Sequence, residues 1–525
     1  MSAETIAKKL LSKVKIAPKP KPRVKVVATI TKSTKKPEKE LGRSKTSKKP
    51  AVGAQEIPIE KPADLPTEKP KRKPPRRRNA KVVSPRSPPK LLDDSDSLPD
   101  KVEFALPEHL VSHRHDFDGK TFEEGSNYLR RKNRIMEIKE IPQHEQGTQA
   151  WLDQRMECIT ATGIAVALDE EPYSSPWEFL KEKVLGRKFI ENKNVHHGKK
   201  YEEIGAMHYG FRNHIKVAEY GLIQHDTHKF IGASPDGICE KSTPSGTLSK
   251  LVGRLLEIKF PTSREILTEG ELDGDIVPHY YYWQILAQLY VTKMDECDFL
   301  QCKIEEYESW EAYKADSQKD MPGLSAVTNY EKGCLIQLLP KKMLSTDPEF
   351  INKEAGETEP AKAMIVYNAK YIYPPKMHMT FDEIQKWIAS EVMNYHNHKY
   401  CKDYMIDRII YWRLSKVTCT LVKSDNARFE EALPKLKQFW SYVEFYREHK
   451  DLMNSMVDFV KDLDTRTYDL KSDIIFERIH KQYTKYHPNE LQPLYQEKNK
   501  WRKKYDQKAS DRSKKYGGRF SKKII

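Results

Sequence analysis

Two neighbouring stretches decide how this chain is read: Gly232-Ala233-Ser234-Pro235-Asp236-Gly237 and Leu255-Leu256-Glu257-Ile258-Lys259-Phe260-Pro261, with Glu257 standing 21 residues after Asp236. Each is a short apolar run closed by turn residues, the pattern of a buried strand. Strand side chains alternate faces, so Glu257 and Lys259 point one way and Leu256, Ile258 and Phe260 the other, toward a core. An acid and a lysine side by side in an apolar strand need a reason, because a buried charge is costly unless paired or bound to metal. Asp236, at a tight turn between Pro235 and Gly237, can reach the same point from the neighbouring strand. Glu202, in a predicted helix from Tyr201 to Phe211, supplies a third carboxylate. Three converging carboxylates repel unless a divalent cation sits between them, and an all-oxygen donor set suits Mg²⁺ or Mn²⁺ rather than zinc. Lys259 would then orient or deprotonate a water, while the metal offsets charge on a phosphoryl oxygen and its leaving alkoxide. Singly, a Glu-x-Lys pair is usually a surface ion pair and a Ser-Pro-Asp-Gly turn is usually a loop. Their order, spacing and strand placement together point to an active site.

Outward from this centre, Glu178–Val184 reads as a helix with Phe179, Leu180 and Val184 on one face, and Tyr280–Val291 as an aromatic, Gln-rich helix. Gly221–His225 and Cys297–Ile304 read as extended. Strands flanked by helices predict an α/β core with a mixed sheet. Beyond residue 375 the pattern turns mainly helical, as at Phe381–Asn394 and from Phe429 to Leu463 with a break at Pro434. Ile409–Trp412 and Val417–Val422 read as two further short strands. A short basic helix is expected at Tyr128–Lys132, and Thr160-Ala161-Thr162 reads as the N-terminus of a helix over Ile164–Leu168, an anion site.

The charge distribution frames this core. The 525 residues carry a formal net charge of +16, and the first 100 hold 27 basic and 11 acidic residues, no Phe, Trp or Tyr, and 15 of the 32 prolines. Such a segment cannot bury enough apolar surface to offset its ordering entropy and is expected to be disordered. Its run Lys69-Pro70-Lys71-Arg72-Lys73-Pro74-Pro75-Arg76-Arg77-Arg78 suits phosphate backbones or nuclear import as well as a solvated arm. The organisation expected is a basic tail (1–100), a linker with an N-terminal helical segment (101–140), an α/β domain around the two central stretches (141–375), a mainly helical extension (376–490) and a second basic tail (491–525). No apolar run approaches a membrane span. Seven scattered cysteines with no CxxC pair argue for reduced thiols and against a disulfide frame.

The stretch Trp151-Leu152-Asp153-Gln154-Arg155-Met156-Glu157-Cys158-Ile159-Thr160-Ala161-Thr162 resembles the opening motif of the lambda exonuclease and YqaJ-like viral recombinase nucleases. Gly198-Lys199-Lys200-Tyr201-Glu202 is similar to their helical Glu motif, and the two central stretches to their PD-(D/E)xK core. Tyr281-Tyr282-Trp283-Gln284-Ile285-Leu286-Ala287-Gln288-Leu289 with Val291-Thr292 resembles their Gln-rich helix. The resemblance, which covers about residues 140–305, implies a restriction-endonuclease-like fold. It implies Asp236 and Glu257 as metal ligands with Glu202 as the helical acid, Lys259 as catalytic lysine, and Mg²⁺, replaceable by Mn²⁺, as cofactor. Arg155, Thr162 and Ser234 match groups at a terminal 5′-phosphate, and Gln284 and Gln288 remain to contact DNA or orient the lysine. Thr162 replaces the usual Ser, and Leu286 stands where a second Gln is common.

The function so implied is a metal-dependent exonuclease. It degrades linear double-stranded DNA from the 5′ end and leaves a 3′ strand for a single-strand annealing protein, with a ring-shaped homotrimer as its assembly. The resemblance and the import-type run point to a large DNA virus of a eukaryotic host, acting in the nucleus, at a cytoplasmic replication site or in the virion. Two alternatives stand beside it. One is an end-independent endonuclease on the same core, or a nuclease that also takes RNA. The other is a non-catalytic DNA-binding or packaging protein working through its basic tails.

Overall fold

The computed structural model describes residues 114–115, 126–186, 192–242, 251–354, 360–463 and 468–489, and the two basic tails lie outside them. Eleven strands are present among these residues: β1 (Arg114–His115), β2 (Ile159–Thr160), β3 (Ile215–Ala218), β4 (Ile223–Gln224), β5 (Ile231–Ala233), β6 (Gly237–Ser242), β7 (Leu255–Lys259), β8 (Glu296–Glu306), β9 (Lys332–Pro340), β10 (Lys370–Ile372) and β11 (Tyr404–Lys423). The large sheet runs β10-β9-β11-β8-β7-β6-β3, with β1 added alongside β11, and β2-β5-β4 form a small second sheet. In the large sheet β7 and β8 pair in parallel, as do β1 and β11, and the remaining pairs are antiparallel. The sheet is therefore mixed, as expected.

Helices flank the strands. They include α1 (Ser126–Glu140), α2 (Gln149–Met156), α3 (Ile164–Ala167), α4 (Pro176–Leu185), α5 (Lys193–Asn213), α6 (His279–Thr292), α7 (Phe381–Asn394), α8 (Asn426–Glu448), α9 (Lys450–Asp462) and α10 (Tyr468–Thr484). Their ends follow local chemistry. Asn192 accepts from the N–H groups of Asn194 and Val195 to start α5, and His214 ends it in the left-handed region. Thr380 and Glu383 form a capping box on α7. α5 lies on β7 because Gly205 carries no side chain; a Cβ there would collide with Ile258. That close approach, one helical turn after Glu202, brings the helical acid to the strand.

Four expectations change. The boundary at residue 375 runs through the sheet, since β11 lies between β9 and β8 and is the longest strand described. Its two apolar halves read as separate strands because a bulge at Ser415 shifts the register between Leu414 and Lys416. The short basic helix expected at Tyr128–Lys132 is the longer α1, 15 residues, whose Arg131 is fully buried, bonds Asp295 at 2.7 Å and pairs with Glu296 at 3.1 Å. Pro434 does not break its helix, and α8 instead ends at His449. A proline inside a helix costs about 3 kcal/mol. Beyond it Leu436, Phe439, Trp440, Tyr442 and Val443 are all buried, each contributing about 1.5–3 kcal/mol, so the helix persists.

Candidate active site

β7 sits between β6 and β8 and is buried on both faces, so its polar residues are held by design of the packing around them. The Glu257 side chain is 0% exposed and that of Lys259 21%. Gln284 Nε2 donates to one Glu257 oxygen at 2.5 Å and Gln288 Nε2 to the other at 2.6 Å. The four-residue spacing of these glutamines on α6 puts both amides on one helical face, over the strand. Lys259 Nζ bonds Glu257 and lies 4.0 Å from Asp236.

Asp236, in the expected turn, directly precedes β6, a strand that the sequence pattern does not announce, and its Oδ2 accepts the Ile258 N–H at 2.7 Å. The carboxylate thus extends the β6–β7 ladder where the backbone leaves it. Gly237 is required beside it, because a Cβ there would run into Val217 of β3. Of the two adjacent acids on α5, Glu202 is half-buried and within electrostatic reach of Lys259 and Glu257, whereas Glu203 is exposed.

The electrostatics describe a crowded anionic pocket with a resident cation. Burial pushes the Glu202 carboxyl up to about 7, with Lys259 opposing and Glu257 adding to the rise. Burial, then Glu257, holds Asp236 well above the usual carboxylate range. Burial alone would lower the Lys259 ammonium, but Glu257 and Asp236 outweigh it and hold it above its usual value. The acidic set fits a hard divalent cation by donor chemistry: three carboxylates, no sulfur or imidazole, and mutual repulsion that a cation would relieve. Among the described residues no group of three or more His, Cys, Asp or Glu side chains is already gathered as ligands; Lys259 and the two glutamines hold the Glu257 oxygens.

The glutamines are where the reading from sequence shifts most. Gln284 and Gln288 are buried and turned onto Glu257, so their amides hold the carboxylate in place instead of facing DNA. A carboxylate two residues from a lysine, with a Gln-x-x-x-Gln helix to follow, was the signal available.

A second cluster forms at the small sheet. β2 pairs in parallel with β5, Thr160 opposite Gly232, and both chains run on to Thr162 and Ser234. Arg155 Nη2 lies 3.5 Å from Thr162 Oγ1, which is 3.2 Å from Thr160 Oγ1. The Arg155 guanidinium stacks 4.5 Å from the Trp151 ring centre, and burial lowers its pKa from the ordinary value. Ser234 Oγ is buried with no hydrogen-bond partner among the described residues. The helix expected after Thr162 is a 3₁₀ turn, Ala161–Gly163, followed by the four residues of α3. So short a helix adds little dipole, and Arg155 with the Thr160, Thr162 and Ser234 hydroxyls are the polar groups gathered here.

Sequence reading missed what stands behind Arg155. Lys183 Nζ donates to the Arg155 carbonyl at 2.6 Å. Arg447, near the end of α8, donates to the carbonyls of Met156 (2.7 Å) and Lys183 (3.1 Å) and to Glu157 Oε2 (2.8 Å). A lysine on the apolar face of α4 was a legible hint; an arginine some 290 residues away in sequence was not.

A mixed sheet in which β7 carries Glu257-x-Lys259, with Asp236 leading into the neighbouring β6, is the arrangement of a restriction-endonuclease-like PD-(D/E)xK core. Residues 150–295 match the model of the YqaJ-like viral recombinase domain, so the chain contains a domain of that family. An uncharacterized protein of Acanthamoeba polyphaga mimivirus is 52% identical over 430 residues, which cover 82% of this chain and 75% of that one. Among solved structures, the chain is similar to an alkaline exonuclease (LHK-Exo) from Laribacter hongkongensis. The two are 16% identical with a TM-score of 0.30, and the match covers 59% of this chain and 100% of the other. A phage-related exonuclease from Haemophilus somnus matches at 12% identity and TM-score 0.27, covering 57% of this chain and 96% of that one.

Proposed function

We propose that this protein is a metal-dependent deoxyribonuclease that removes nucleotides from the 5′ end of linear double-stranded DNA. The observation that carries the reading is the contact of Lys259 with Glu257, 4.0 Å from Asp236 and within reach of Glu202. Asp236, Glu257 and Glu202 would hold Mg²⁺ or Mn²⁺. When bound, the metal supplies Lewis-acid stabilisation of negative charge on the phosphate and the leaving oxygen.

The chain's own residues do the rest. Lys259 leaves Glu257 and turns its ammonium toward the attacking water, which it holds by a hydrogen bond. Gln284 and Gln288 keep Glu257 fixed while Lys259 moves, so the carboxylate does not lose its geometry. Arg155, Thr162 and the unpartnered Ser234 hydroxyl bind a terminal 5′-phosphate, the group that distinguishes an end from an internal site. A homotrimer and transfer of the 3′ strand to a single-strand annealing protein complete the proposal, at a viral replication site of a eukaryotic host.

The test uses linear duplex labelled at either the 5′ or the 3′ end, incubated in EDTA, Mg²⁺ or Mn²⁺. The proposal expects early release of the 5′ label as mononucleotide, only with a divalent cation. Early release of the 3′ label, or cleavage in EDTA, contradicts it.

A further inference from the structure

The aromatic run at the start of α6 is divided by the helix between two surroundings. Trp283 is buried, and Tyr282 lies under the Arg428 guanidinium, 5.1 Å from its ring centre. Tyr281 and Tyr280 are half-buried and lead away from the active site. Lys259 Nζ lies 5.0 Å from the Tyr281 ring centre. Tyr280 packs on Tyr281 with centroids 4.3 Å apart, and Tyr173 meets Tyr280 edge-on at 5.7 Å. The far end of this row is open, since Tyr173, on the turn between α3 and α4, is 66% exposed. Arg264 flanks the row, 6.0 Å from the Tyr281 centre and held by Gln301 Oε1 at 2.6 Å.

An exposed ring at the end of a row that starts on the lysine contributes little to the core. Its chemistry is that of a stacking platform: a π-face any base can use, with one flanking guanidinium. We propose that Tyr173 and Tyr280, flanked by Arg264, form a stacking subsite for a nucleobase of the strand being cut, next to the phosphate at Asp236, Glu257 and Lys259. This deepens the nuclease reading and rests on it for the position of that phosphate. A base suits the place better than a second phosphate. Glu171, on the same turn, is buried and pushed up to about 7 by that burial, so it adds partial negative charge at neutral pH. The rings beside it offer no anion-binding donors beyond their hydroxyls. Stacking is tolerant of sequence, so such a subsite would grip a frayed end without restricting which DNA is digested.

The test follows 2-aminopurine fluorescence in 5′-phosphorylated duplex, the probe placed in turn at the first three positions from the 5′ end. The full-length chain carries Lys259→Ala to prevent turnover, alone or with Tyr173→Leu or Tyr173→Phe. Because Tyr173 is largely exposed, all three proteins are expected to fold. The proposal expects quenching at one of the three positions by the parent, loss of most of it with Tyr173→Leu, and recovery with Tyr173→Phe. It also expects Tyr173→Leu to weaken DNA binding by about five- to tenfold, the low end of what one aromatic stack contributes. Equal quenching by the Leu and Phe variants overturns the subsite. If the protein with Lys259 intact fails to cut DNA, the nuclease reading falls while the Leu/Phe comparison still decides the stack. If fluorescence anisotropy shows no DNA binding at all, both fall.

Discussion

Replacing Lys259 with Met would remove the cation that contacts Glu257 and faces Asp236, while keeping the length of the side chain. Removing one partner of a buried ion pair costs about 3–5 kcal/mol. Here Lys259 keeps 21% exposure and Glu257 keeps its two glutamine donors, which places the loss at the lower end, about 3 kcal/mol. In a folded unit of this size 1 kcal/mol shifts Tm by about 2 °C. The variant is therefore expected to melt roughly 6 °C below wild type in EDTA. If the three carboxylates are metal ligands, a divalent cation replaces the missing charge. At a hundredfold excess over Kd, binding restores about 2.7 kcal/mol, which returns most of the lost Tm. Scanning calorimetry of both proteins in EDTA, Mg²⁺ and Mn²⁺ is the assay. A variant that melts with wild type in EDTA would show that Lys259 does not neutralise the pocket. A variant that melts low and ignores both cations would refute the metal site.

Three further outcomes follow from the geometry. Gln288→Leu removes a charge-assisted hydrogen bond from a buried carboxylate, a loss of about 1.5–3 kcal/mol; melting should show it, and steady-state kinetics should show kcat falling more than KM. Arg447→Gln should lower the ratio of rates on 5′-phosphate and 5′-hydroxyl ends several-fold, because its bonds to the Met156 and Lys183 carbonyls brace the helix that carries Arg155; an unchanged ratio would separate α8 from end recognition. Glu331 is fully buried, with Arg212 at 2.5 Å, His208 at 3.1 Å and His378 at 3.6 Å. Burial alone would raise its carboxyl, but His208, His378 and Arg212 outweigh that and hold it well below its usual range. Its stabilisation is thus fully present above the unfolded-state value near 4.5 and is lost as pH falls through the depressed folded value. Acid unfolding of Glu331→Gln should accordingly be less steep below pH 4.5 than that of wild type.

What the sequence made legible is what alternation and periodicity encode. β7 and α6 carry strong patterns, and each appears within a residue or two of its expected limits. The helix at Phe381–Asn394 matches to the residue because Thr380 and Glu383 mark its start. β6 was hidden because Ser234-Pro235-Asp236-Gly237 reads as the end of β5 and gives no sign that pairing resumes at Gly237. β11 looked like two strands because one bulged residue breaks its alternation. The meeting of Lys259 with Glu257 was legible because alternation puts both on one face of β7, and Gly205 lets α5, which carries Glu202, lie close against that strand. The inward turn of Gln284 and Gln288 was not, since periodicity places residues on a helical face without saying what that face meets. The bracing of Arg155 by Arg447 depends on tertiary packing alone.

The account turns on whether Lys259 and its carboxylates cut DNA from an end. Linear 5′-phosphorylated duplex, linear 5′-hydroxyl duplex and closed circular DNA, each incubated in Mg²⁺ with wild type and with Lys259→Ala, test it most directly. The account predicts that wild type consumes the linear substrates alone, the phosphorylated one faster, and that Lys259→Ala is inert. Cleavage of the circle would contradict the dependence on ends, and cleavage by Lys259→Ala at the wild-type rate would contradict the site itself.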